Sequence, residues 1–305
     1  MANHSGAFSS GLGMTWRRQG WLWLIYIVNL ILAIFSTHNS AAAMSAVLDH
    51  SMASARLVHG FDFAAFSEYG LLPEVRHVQD NGMMHMSVVF FFFLLFVTGG
   101  VLESYRRDER ISFAEFFEAC GRYFWRFFRL LLFLIVVLIV PAVLLGITVA
   151  GGSRLDDKSI SPMPGVWFWL VGFAIMLLLM MVIRLWFDMA EVHAVVENEH
   201  RIRKSLAAAF RLTFKNFGSL FSLYFRVSFL AWLGFSLGLW FWMMKLQPES
   251  IGKALILSQL MILWWLGTRL WQRASEMKWY LANRPELAPS PVVSPAASPA
   301  PAVLV

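Results

Sequence analysis

The chain has 305 residues, of which 58% are hydrophobic, 16% aromatic and only 14% charged. A soluble domain carries about 25% charged residues, so this composition excludes an ordinary water-soluble fold and places the chain in a bilayer. The net charge of +6 accompanies no recognised nucleic-acid motif, so nucleic acid is set aside as a partner, and the basic residues read as orientation signals that meet anionic lipid head groups.

Residues 1–20 are polar, end in Trp16-Arg17-Arg18 and form a cytoplasmic N-terminal elbow. Trp21 to Phe35 is apolar except for Asn29, which gives a first span over about residues 21–36. The small residues Ser40 to Ala43 follow, so a cleavable signal peptide is the alternative to a retained span, and the short apolar run is its best argument. Residues 38–85 are the longest polar segment and are expected to cap the outer membrane surface. Met44, Val47, Leu48, Met52 and Ala55 recur there at helical spacing, before Gly60 and Pro73 break the chain.

Span two covers 87–103, through Phe90 to Phe93. The elbow at 104–129 sets Phe116, Cys120, Tyr123 and Phe127 against Glu118, Arg122, Arg126 and Arg129, with both sets stepping by three and four. Such a helix is expected to lie in the membrane interface with its aromatics in the acyl boundary and its arginines towards lipid. Span three covers 130–149. Gly151-Gly152 and Pro162 to Gly165 read as a short outer loop, and span four covers 166–187. A second full elbow at 188–218 opposes Ile202, Leu206, Phe210 and Phe214 to Lys204, Arg211 and Lys215. Spans five (219–244) and six (254–271) follow, with the last helix running on to Asn283. The Pro/Ser/Ala-rich stretch 285–305 reads as a disordered cytoplasmic tail.

The expected fold is therefore an all-α polytopic transmembrane bundle with six spans and amphipathic elbow helices. Eighteen basic residues flank the spans on one side and six on the other, which orients both termini to the cytoplasm of a bacterial inner membrane.

A shift of 89 residues lays span two, its elbow and span three on span four, its elbow and span five. Ala119, Arg122, Phe128 and Leu131 then match Ala208, Arg211, Phe217 and Leu220, and Arg126 meets Lys215. Thr15, Arg17 and Gly20 fit the end of the same pattern. The expectation is three units, each an elbow, a span out and a span back; convergence on basic aromatic helices before a span is the alternative.

The run Phe116 to Leu130 (Phe-Phe-x-x-Cys-Gly-Arg-Tyr-Phe-x-Arg-Phe-x-Arg-Leu) and the preceding Gly99-Gly100 resemble a family of uncharacterised six-span bacterial membrane proteins. More distantly, the layout is similar to the membrane domain attached to some bacterial glycerophosphodiester phosphodiesterases. The resemblance covers most of residues 10–284 and implies the six-span fold. The phosphodiesterase chemistry belongs to a separate soluble domain, so no catalytic residue carries over.

Three constellations stand out. Arg184, Asp188 and Glu191 share a face at the end of span four, and Arg226 lies about 12 Å into span five. A charge at that depth needs a partner or must snorkel, so Arg226 is expected to pair with Asp188 or Glu191 as a structural clamp rather than a substrate path. Met83-Met84-His85-Met86 offers thioether and imidazole donors suited to Cu(I), but without repeated ligand spacing interfacial packing is favoured and no metal is assigned. Gly234 and Gly238 have the small-residue spacing of close helix packing, within the chain rather than between copies.

Cys120 falls on the apolar elbow face as a small buried residue, and a single cysteine excludes an intramolecular disulfide. No phosphate-cradling glycine loop, metalloprotease motif or nucleophile turn is present, and no cofactor is expected. The functional expectation is a non-enzymatic envelope scaffold or accessory subunit with an unidentified membrane-protein partner. A small-molecule transporter or permease is the alternative, and a membrane-embedded enzyme the third reading.

Overall fold

The computed structural model describes residues 4–48, 73–107, 109–158, 163–246 and 250–283. Every regular element among them is helical. In chain order they are α1 (His4–Arg17), α2 (Gly20–Leu48), α3 (Pro73–Arg106), α4 (Phe113–Val137), α5 (Ile139–Lys158), α6 (Met163–Val196), α7 (Ile202–Lys215), α8 (Phe217–Lys245) and α9 (Ile251–Ala282). Among the described residues, six helical stretches are long and apolar enough to cross a membrane: Gly20–Thr37, Met84–Arg106, Phe113–Leu155, Met163–Val196, Phe217–Lys245 and Gly252–Ala282. The protein is thus an all-α bundle of membrane-spanning type.

The described helices fall into three sets of three, each an amphipathic helix followed by two long helices paired as a hairpin: α2 with α3, α5 with α6, α8 with α9. Each amphipathic helix packs on the second long helix of another set: α4 on α3, α7 on α6, and α1 on α9, which closes the chain on itself. The second long helices α3, α6 and α9 also touch one another pairwise.

The core gathers where these six helices meet, through Val97, Leu102, Leu185, Met189, Ala274 and Met277. Away from this end the long helices stay open, with Trp167, Phe173, Trp232, Trp240 and Ile256 exposed. Apolar surface this extensive calls for hydrocarbon rather than water around it.

Several boundaries differ from the sequence expectation. The elbow at 104–129 is not a separate interfacial helix. It begins at Ser112, whose side chain and Glu115 form a reciprocal capping box, and it runs unbroken into span three. The break comes at Leu138 because Pro141 has no N–H to give the Val137 carbonyl and its ring crowds that group.

The aromatic face of α4 is divided: Phe113 and Phe117 stay exposed, but its centre is turned into the protein. Phe116, Cys120, Tyr123 and Phe127 are buried against α3. Gly99 and Gly100 make this approach attainable: a Cβ on Gly100 would lie 2.6 Å from Cys120 Sγ and 2.7 Å from the Phe116 ring.

The glycines Gly151-Gly152 are helical rather than part of a loop, because α5 extends to Lys158 and packs there on Phe168 and Trp169 of α6. The flanks of the expected outer cap are helical continuations, α2 reaching Leu48 and α3 starting at Pro73. The middle of that cap and the tail 285–305 lie outside the described residues.

Candidate functional site

The polar interior is built by α6 and α9. Asp188 and Glu191 project from α6 at i and i+3, while Arg269 and Arg273 project from α9 at i and i+4. Arg269 donates from Nη1 to Asp188 Oδ2 at 2.9 Å and from Nη2 to Asp188 Oδ1 at 2.8 Å. Arg273 Nη1 donates to Glu191 Oε2 at 2.7 Å, and Tyr280 Oη donates to Glu197 Oε1 at 3.0 Å. The rungs advance together along both helices, so α6 and α9 run parallel and in a single register.

Asp188 is 5% exposed. A bidentate guanidinium fork is the geometry that can recover the desolvation cost of such a carboxylate. Beyond the rungs, Gln272 Nε2 donates to Glu276 Oε1 at 3.1 Å, while the buried Glu276 Oε2 meets no donor among the described residues.

A second clamp lies at the turns. Arg126 is 7% exposed and donates to Asn198 Oδ1 and to His200 Nε2, each at 2.8 Å. Arginine can only donate, so His200 accepts through Nε2. Arg126 also lies 5.1 Å from the Tyr123 ring centroid, a cation–π contact.

The turn it grips contains Asn198 at φ 49, a left-handed conformation that asparagine tolerates better than most residues. The backbone N–H of Arg201 donates to Glu199 at 2.9 Å and holds that carboxyl below the usual carboxylate range. Arg18 grips the α3–α4 turn in the same manner, donating to the backbone carbonyls of Arg107 and Glu109. Buried Glu103 anchors the α3 side of that turn by accepting from Arg106 and Arg107 at 2.7–2.8 Å.

The residues singled out from sequence are thus only partly brought together. Asp188 and Glu191 share the ladder. Arg226 does not pair with either, because the arginines of α9 already occupy both carboxylates. It is exposed and borders a cavity of about 220 Å³ with Ser219, Ser222, Leu223 and Trp279. Arg184 is exposed one turn before Asp188 and makes no ion pair among the described residues.

Of the basic elbow residues, Arg122, Arg129, Arg211 and Lys215 are exposed, Arg122 pairing with Glu118. Arg126 is not lipid-facing, because Asn198 and His200 draw it into the protein. Gly234 and Gly238 pack against Trp264 and Met261 of α9. Met84 and His85 are exposed, whereas the remaining side chains of the Met/His-rich outer segment lie largely outside the described residues.

Arg269, Gln272, Arg273 and Glu276 were missed as a site, although their i, i+3, i+4, i+7 spacing marks one polar stripe on α9. Among the described residues no group of three or more His, Cys, Asp or Glu side chains is placed to hold a metal ion. No family model, curated protein or solved structure matches this chain.

Proposed function

We propose that this protein is a non-enzymatic scaffold or accessory subunit of a bacterial inner membrane, with both termini cytoplasmic and the ion-paired end of the bundle at the cytoplasmic face. The observation that carries this reading is the use of the interior charges. Asp188, Glu191, Arg269 and Arg273 are consumed by one another in a rigid parallel ladder. The apolar faces of the long helices, in contrast, are left open to lipid or to a partner's spans.

The arrangement of the nine described helices as three elbow–span–span sets supports descent from a triplicated unit. The first span belongs to the assembled core: Trp21 stacks on Phe116 at 3.7 Å, and Arg18 holds the α3–α4 turn. The unidentified partner would engage the exposed apolar flanks.

Crosslinking in native membranes followed by co-purification tests the proposal. A discrete partner at fixed stoichiometry is the expected result, and a protein recovered alone at native abundance counts against it. One observation favours the transporter reading, namely the cavity that Arg226 borders with Ser219 and Ser222. Uptake by reconstituted vesicles that is abolished by Arg226→Gln would replace the scaffold proposal with that reading.

A further inference from the structure

The exposed face of α7 carries a second, larger feature. A groove of about 890 Å³ opens between α7 and the Trp186 edge of α6. Two rows of side chains on α7 line it. One row is basic, with Arg203, Arg211 and Lys215 stepping by multiples of four; the other, Leu206, Phe210 and Phe214, is apolar. No acidic residue lines the groove, and none of the three cations makes an ion pair among the described residues.

The apolar row does not stop at the end of α7. Phe210, Phe214, Phe217, Phe221, Phe225 and Phe229 form a continuous ladder of rings, with successive centroids 4.3, 6.1, 5.2, 6.2 and 6.1 Å apart. The ladder passes the bend at Asn216 and climbs α8. Phe210, Phe214, Phe225 and Phe229 are 46%, 47%, 49% and 55% exposed, with Phe217 and Phe221 half-buried between them, so the rail is open to the outside at both ends. From Phe217 to Phe229 it covers about 18 Å, close to the ~15 Å depth of one leaflet's hydrocarbon.

We propose that this groove and ladder form a binding site for one anionic phospholipid, with the phosphate on Arg211 and Lys215, Arg203 adding positive charge farther along the groove, and an acyl chain along the phenylalanine rail. Charge complementarity selects an anion. Continuity of the rail into a membrane-spanning helix selects a lipid over a peptide, because a peripheral peptide cannot follow the rings to leaflet depth. The proposal does not depend on the scaffold reading.

The test uses the full chain purified in mild detergent and offered phosphatidylglycerol or phosphatidylcholine of identical chains, with retained lipid read by native mass spectrometry. Phosphatidylglycerol is expected to stay bound at one copy, with phosphatidylcholine retained far less. The triple substitution Arg203→Gln, Arg211→Gln, Lys215→Gln is expected to weaken retention by about 100-fold. Removing the exposed elbow charges elsewhere, with Arg122→Gln and Arg129→Gln, leaves it intact.

Equal retention of both lipids overturns the site, as does equal loss in the two variants or displacement of the lipid by inorganic phosphate. A photoreactive group at the end of the acyl chain keeps the test independent of the variants. It should label the segment around Phe225 to Phe229 in the wild-type protein, and labelling confined to other helices, or an acidic polypeptide recovered in the groove, refutes the proposal.

Discussion

Arg269 of α9 and Asp188 of α6 are joined by two parallel hydrogen bonds, 2.8 and 2.9 Å long, at the point where the three central helices meet. The pair is 81 residues apart in sequence, so it sets the register of the last helix against the middle of the chain. Removing one partner of a buried ion pair strands the other, at a cost of about 3–5 kcal/mol. Asp188→Asn should therefore lower the thermal unfolding midpoint of the detergent-purified protein markedly, and the reversed pair Asp188→Arg with Arg269→Asp should recover part of the loss. Arg226→Gln should leave the midpoint unchanged, since Arg226 takes no part in the ladder. An equal loss for Arg226→Gln would show that the ladder is wired otherwise.

Closure of the ring depends on one glycine. A Cβ on Gly11 of α1 would sit 2.8 Å from the backbone N and Cα of Ser275 on α9, and backbone cannot step aside as a flexible side chain can. Gly11→Ala should loosen α1 from α9 and lower stability. Gly121→Ala on α4, where a Cβ meets open space, should be neutral or add about 0.5–1 kcal/mol through the better helix propensity of alanine. Limited proteolysis near residue 18 reads the difference, with earlier cleavage expected only for Gly11→Ala.

Asn198 does two jobs that substitution can separate. Its left-handed backbone allows the α6–α7 turn, and its side chain accepts from Arg126. Asn198→Gly keeps the backbone but loses the acceptor, whereas Asn198→Asp keeps both. Asn198→Ala loses both, with a backbone penalty of about 1–2 kcal/mol added to the lost hydrogen bond. The expected order of melting midpoints is Asn equal to or near Asp, then Gly, then Ala. A glycine variant as stable as the wild type would show that the Arg126 contact contributes nothing.

Cys120 is fully buried between α3 and α4 and is the chain's only cysteine. Maleimide should fail to label it in the folded protein and label it fully in denaturant. Labelling rate against denaturant concentration then reports the separation of α4 from α3. Gly100→Ala, whose Cβ would strike Cys120 Sγ and the Phe116 ring, should make the thiol reactive at lower denaturant.

The sequence by itself determined the helical membrane class, the number of long apolar stretches and the alternation of elbows with span pairs. These follow from hydropathy and from the 3.6-residue period, which are local properties of the chain. It also marked Cys120 as a small buried residue and Gly234-x-x-x-Gly238 as a place for close helix packing, whose partners Trp264 and Met261 came only from the tertiary structure.

The partners were decided by tertiary structure. Four arginines (Arg184, Arg226, Arg269 and Arg273) lay towards the same end of the spans, and charge alone could not say which would reach Asp188. The parallel register of α6 and α9 chose Arg269. The aromatic face of α4 was plain from its spacing, but protein and acyl chains are equally apolar neighbours for phenylalanine, so periodicity could not distinguish burial in lipid from burial on α3. The Gly99-Gly100 notch settled it by letting α4 approach closely enough to exclude lipid. Arg126 and Arg129 lie three residues apart on the same basic helix. Arg126 alone meets the turn at 198–200, and that contact turned an expected lipid anchor into an internal clamp.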